Sequence, residues 1–218
     1  MPEPTSRPAE TGRLYVFEGI DGSGKTTQVR LTSANLTAKG IKHAIVEMPG
    51  RSRLSFEIRE TLTRLPDGEV SETTEALLHL AMIRNGLEKF VMPALAEGRH
   101  VLMDRSYLST AAYQGSSNDS LFETILDSAK SWLSLLRPNQ IFYFDLDPQA
   151  AAERIRLRGD DPDKYDDLPI SVKSDVRKRY LSLQEHFPGL FNVVDASMNV
   201  ARLSEQVMEV IENDIQST

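Results

Sequence analysis

Gly19-Ile20-Asp21-Gly22-Ser23-Gly24-Lys25-Thr26 follows the apolar run Leu14 to Phe17 and fits the spacing G-x-x-x-x-G-K-[ST] at every fixed position. Glycines so placed let backbone N–H groups curl around an anion without Cβ interference, and a helix starting at Lys25 adds its positive dipole end. In such a loop the lysine, Lys25, reaches the β- and γ-phosphates of a nucleoside triphosphate, and the hydroxyl of Thr26 ligates Mg²⁺. A second chemical pair, Asp104 and Arg105, ends the apolar stretch "VLMD". An acid followed at once by a base at a strand's carboxyl end suits a metal beside a second anion.

These groups need a scaffold. The apolar, β-rich runs Leu14 to Phe17, Lys42 to Glu47, His100 to Met103, Gln140 to Asp145 and Phe191 to Asp195 read as strands. Helical spacing falls over Lys25 to Lys39, Leu54 to Leu65, Glu72 to Glu97, Asp119 to Leu136, Pro148 to Arg158, Ser171 to His186 and Val200 to Asn213. Strands alternating with helices predict an α/β fold of the P-loop NTPase kind, a five-stranded parallel sheet surrounded by helices. "RGDDPDKYDDLP", Arg158 to Pro169, is polar, acidic and without apolar period, so it reads as a functional loop. Residues 1–12 read as a disordered leader and 13–218 as one domain with a lid at about 158–169.

Bulk properties remove whole classes of function. The net charge of -7 across 218 residues argues against broad nucleic-acid binding, so an anionic ligand must be held by a local cluster of cations. With no cysteine there is no disulfide, thiolate catalysis or thiolate zinc site, which fits a cytoplasmic address. No apolar run is long enough to span a bilayer, so no membrane partner is expected. A regulatory GTPase would carry an N-K-x-D base reader, and the chain has none.

Taken with "EGIDGSGKTTQ", the segment "DRSYLSTAAYQGS", Asp104 to Ser116, resembles the thymidylate kinases, P-loop enzymes that move the γ-phosphoryl group of ATP onto dTMP. "DPDKYD" and "VVDAS" extend the likeness over nearly the whole chain after residue 12. The resemblance implies ATP as donor, Mg²⁺ as cofactor held by Thr26 and Asp104, and a homodimer paired through helices. ATP would lie on residues Gly19 to Thr27, with Arg158 packing on adenine and the loop at Ala196 reading it through backbone groups. On the acceptor side, Arg105 and Arg51 would grip the phosphate, Asp21 the sugar 3′-hydroxyl and Tyr113 the deoxyribose face, with Thr110 and Gln114 at the base.

The lid lysine, Lys164, is the candidate cation for the migrating phosphoryl group, because Gly22 stands where some members carry arginine. One departure concerns the base itself. Members usually place phenylalanine four residues before an arginine on the third helix; counting back from Arg84 puts Leu80 there, beside His79. A kinase for another or modified deoxypyrimidine monophosphate is therefore the nearest rival. A non-catalytic nucleotide-binding module is the rival of another class, against which intact Lys25, Thr26, Asp104 and Arg105 speak.

Overall fold

A computed structural model describes residues 12–50, 52–66, 68–116, 118–133, 136–158 and 168–217. The leader expected over 1–12, apart from Gly12, lies outside these residues, as do Arg51, Lys164 and nearly all of the expected lid. Gly12 itself donates its N–H to the carbonyl of Leu95 at 2.9 Å.

Five strands, β1 (Leu14–Glu18), β2 (His43–Glu47), β3 (His100–Asp104), β4 (Gln140–Asp145) and β5 (Phe191–Asp195), form one parallel sheet in the order 2-3-1-4-5. The expected strands are all present. All five residues of β1 and most of β3 and β4 are buried, whereas the edge strands β2 and β5 are mixed. Continuous apolar runs are what a central strand covered on both faces requires. Phe17, Phe142 and Phe144 stack across the β1–β4 pair, with ring centroids 5.3 and 6.0 Å from Phe17.

The helices are α1 (Lys25–Ala38), α2 (Arg53–Arg64), α3 (Glu72–Gly86), α4 (Met92–Ala96), α5 (Tyr107–Gln114), α6 (Asp119–Leu133), α7 (Pro148–Arg158), α8 (Ile170–Leu183) and α9 (Val200–Gln216). Side-chain oxygens of Ser52, Ser71, Ser106 and Asn199 accept from the first turns of α2, α3, α5 and α9, the capping that small polar residues supply. The expected single helix over Glu72 to Glu97 is divided by a π-helical turn, Leu87–Val91. Pro93, which has no N–H to return to the preceding turn, stands just after it and accounts for the widening. Helix α5 is an addition: its eight residues, "YLSTAAYQ", are too few and too polar to show an apolar period.

The register positions the chemistry. Phe17 pairs with Asp104, and the N–H of Arg105 donates to the carbonyl of Phe17 at 2.9 Å, so the loop after β1 and the acid–base pair after β3 emerge side by side. Leu102 lies wholly buried in β3 directly behind that pair. Truncation in Leu102→Ala is expected to lower stability by roughly 3 kcal/mol, read as a shift in the urea midpoint at unchanged slope.

Candidate active site

The loop from Gly19 to Gly24 turns on left-handed glycines. Gly24, at φ 90, starts α1, and Gly22, at φ 83, lies so close to α7 that an added Cβ would meet the carbonyl oxygen of Ala151 at 2.5 Å. Both positions require glycine. Lys25 is buried at the base of the loop, its Nζ 3.4 Å from the Ile20 carbonyl and from Asp21 Oδ1. Burial and the nearby Arg105 charge push the Lys25 ammonium down, against the opposing pull of Asp21, Asp104 and Glu18. The Thr26 hydroxyl donates to Asp104 Oδ2 at 2.6 Å, joining the ends of β1 and β3. Thr27 is exposed on the next position of α1.

Arg105 has φ 68, a left-handed backbone that side chains other than glycine rarely adopt. Its guanidinium donates to Asp21 Oδ1, to the Gly19 carbonyl at 3.3 Å and to Ser109 Oγ at 3.3 Å. The same guanidinium stands 5.5 Å from the centre of the Tyr113 ring, whose hydroxyl donates to Asp21 Oδ2 at 2.9 Å. Burial alone would raise the Asp21 carboxyl. The charges of Arg105 and Lys25 and the Tyr113 hydroxyl outweigh it and hold Asp21 well below the usual carboxylate range.

Beneath this layer lies Glu18, fully buried at the end of β1. It accepts from Ser106 Oγ at 2.6 Å, Ser109 Oγ at 2.7 Å and the Tyr180 hydroxyl at 3.0 Å. Burial raises the Glu18 carboxyl, while the Ser106 and Ser109 hydroxyls and the Arg105 charge favour its ionised form. Ser109 thus links a buried acid to the guanidinium above it. Neither Glu18 nor Ser109 figured among the sequence candidates, although an acid closing an otherwise apolar strand was a readable signal.

In front of these groups opens a cleft of about 780 Å³. Asp21, Lys25, Thr26, Asp104, Arg105, Thr110, Tyr113 and Gln114 line it, so the structure brings these sequence candidates together. Thr110, for which an exposed helix hydroxyl was the ordinary alternative, is buried there. The opposite wall carries Met48, Pro49, Arg59, Leu62, Glu75, His79 and Ile83.

Two candidates are corrected. Leu80 packs into the core, and Arg84 turns its Nε to Glu88 Oε1 at 2.7 Å, so neither lines the cleft. On α3 the cleft face is the stripe Glu75, His79, Ile83, four residues apart; a neighbour in sequence lies about 100° round the helix. His79 and Ile83 therefore occupy the wall assigned to Leu80 and Arg84. Arg59, on the largely exposed α2, is a further cation in the cleft that sequence reasoning missed.

Toward the other end of the sheet, Arg158 closes α7 and is exposed. Ala196 is buried, and its carbonyl accepts from Arg154 at 2.9 Å. Arg156 pairs with Glu153 on the solvated face of the same helix.

Residues 17–207 match the family model described as thymidylate kinase. A thymidylate kinase of Ligilactobacillus salivarius is 34% identical over 204 residues, covering 93% of this chain and 98% of that protein. One from Bacillus licheniformis is 34% identical over 202 residues (92% and 95%), and one from Ruegeria pomeroyi 32% over 201 (92% and 95%). The chain belongs to the thymidylate kinase family. It is accordingly an enzyme of the nucleoside monophosphate kinase kind, and the phosphate loop beside a second anion-binding arginine is the apparatus such a transfer needs.

The Asp21 interactions carry a pH signature. With its carboxyl held below the unfolded value of about 3.9, Asp21 contributes stability that is fully present above that pH and lost as pH falls toward the folded value. Asp21→Asn should lower stability at pH 7 by about 2 kcal/mol, a figure reduced because the two side chains are 20% and 21% exposed. Urea unfolding from pH 7 to pH 3 should show wild type and variant converging below pH 4.

Proposed function

We propose that this chain transfers the γ-phosphoryl group of ATP to dTMP, giving ADP and dTDP. The observation that carries the reading is the Asp21–Arg105–Tyr113 cluster, which sets a carboxylate, a guanidinium and an aromatic face beside a phosphate loop. A site for one nucleotide triphosphate alone has no use for them.

The acceptor oxygen of a monophosphate is ionised at neutral pH, so no general base is needed; the difficulty is bringing two polyanions together. The residues of this chain act by position and charge. Amides of Gly19 to Thr27 and the ammonium of Lys25 hold the donor's phosphates. Arg105, with Arg51, takes the acceptor phosphate bidentately through guanidinium edges. Asp21 accepts from the sugar 3′-hydroxyl, and Tyr113 lies against the deoxyribose, where its ring leaves no room for a 2′-hydroxyl. Thr110 and Gln114 meet the base.

The donor set at Thr26 Oγ1 and Asp104 Oδ2 suits Mg²⁺: two hard oxygens beside the phosphate loop, the rest of the shell being water and phosphate. When bound, Mg²⁺ offsets the charge on the donor's phosphates. Lys164 supplies the lid cation, Arg158 packs on adenine and the backbone at Ala196 reads it. We take residues 13–218 as one kinase domain that closes its lid, about 158–169, to keep water from the transferring group. No helix among the described residues is long and apolar enough to cross a membrane. We assign the protein to the cytoplasm, and we propose a homodimer in which the exposed Leu77, Phe90 and Met92 on the α3–α4 span are covered by the second copy.

A coupled assay following ADP with ATP, Mg²⁺ and a panel of monophosphates tests the function. Turnover of dTMP is expected, and Arg105→Ala should lower it at least about a thousandfold while nucleotide-triphosphate affinity stays within about tenfold. ADP from no acceptor would sink the kinase reading. Near-normal activity in Arg105→Ala would refute the assignment of the acceptor phosphate.

A further inference from the structure

The cleft face of α3 has a direction. Gly86, at its carboxyl end, abuts Met48, whose sulfur would lie 2.8 Å from a Cβ added there, and the Met48 N–H donates to the Asp104 carbonyl at 2.8 Å. This is the end of the cleft that holds the phosphate-binding groups. At 1.5 Å per residue, Ile83 stands about 4.5 Å along the axis from Gly86, His79 about 10 Å and Glu75 about 16 Å. An acceptor whose phosphate sits at Arg105 therefore runs along α3 past Ile83 and presents its base to His79 and Glu75.

The last two residues form a polar pair: His79 Nε2 and Glu75 Oε1 are 3.9 Å apart, and the side chains are only 16% and 22% exposed. Leu62 and Ile83 supply apolar surface beside them. The base end of the cleft is thus walled by an imidazole and a carboxylate rather than by apolar groups alone.

We propose that Glu75 and His79 are specificity-determining residues, and that they admit deoxypyrimidine monophosphates whose base carries a hydrogen-bond donor on the edge meeting α3, at least as well as dTMP. The proposal rests on the reading of the cleft as the acceptor site. A carboxylate accepts hydrogen bonds and donates none, and an imidazole offers a donor, an acceptor or both. A ligand that fills the cleft displaces water from both groups, so it must bring a donor or leave an acceptor unsatisfied. A methyl substituent brings none, whereas an exocyclic amine or a hydroxymethyl group does. Sites built around such a polar partner discriminate more steeply than sites that only measure apolar volume.

The test is kcat/KM for dTMP, dCMP and 5-hydroxymethyl-dUMP with wild type, His79→Phe and Glu75→Leu. In wild type, dCMP or 5-hydroxymethyl-dUMP should equal or exceed dTMP, and which of the two does so locates the donor at C4 or C5. Either variant should shift the ratio about tenfold toward dTMP, the effect of one unmade buried hydrogen bond. A wild-type preference for dTMP over both analogues overturns the proposal even where the variants do not fold. So does a ratio that neither variant changes. Absence of turnover with every acceptor is a different result, since it removes the transferase reading itself.

Discussion

Asp21 brings a negative charge into a loop whose other groups are arranged for anions, and its bond to Arg105 is the contact on which the rest of the site depends. Without a counter-charge, Arg105 and Lys25 would repel one another at the place where two phosphates must meet. Burying an ion pair is costly unless its remaining hydrogen-bonding capacity is filled, and here it is: Tyr113 serves the second carboxylate oxygen, while Gly19 and Ser109 serve the guanidinium. The left-handed backbone of Arg105 persists because the Phe17 carbonyl, the Asp21 carboxylate and the Tyr113 ring fix it from three sides.

That contact in turn requires the sheet. The loop after β1 and the turn after β3 are neighbours only because β1 and β3 pair in parallel, with Phe17 opposite Asp104. Glu18 ties the two from below through Ser106, Ser109 and Tyr180, so α5 and α8 are held to the same strand end. Phosphate-binding residues on a packed strand edge, with the opposite wall on the more exposed α2, give the cleft one rigid side and one side free to adapt.

Most of the frame was legible in the sequence, because its signals are strong and local: apolar runs for buried strands, glycines at fixed spacing for the loop, and an acid–base pair at a strand end. Lys25, Thr26, Asp104 and Arg105 were readable for that reason. The strand order was not, since it depends on which edges pair rather than on any one segment. The cleft face of α3 was misread by one residue, because "LLHLAMIR" is apolar on several sides and its period does not reveal which face packs. Leu80 went to the core, and His79 to the cleft. Glu18 and Arg59 escaped for different reasons: the first looked like the end of a strand, the second like one cation among many on a solvated helix.

The central claim is that Asp21 and Arg105 act as one unit joining the donor loop to the acceptor. A double-mutant cycle on kcat/KM for the acceptor, using Asp21→Asn, Arg105→Lys and the double variant, measures it most directly. The predicted result is strong non-additivity, a coupling energy of about 2 kcal/mol or more. Effects of the two substitutions that add to within about 0.5 kcal/mol would contradict it.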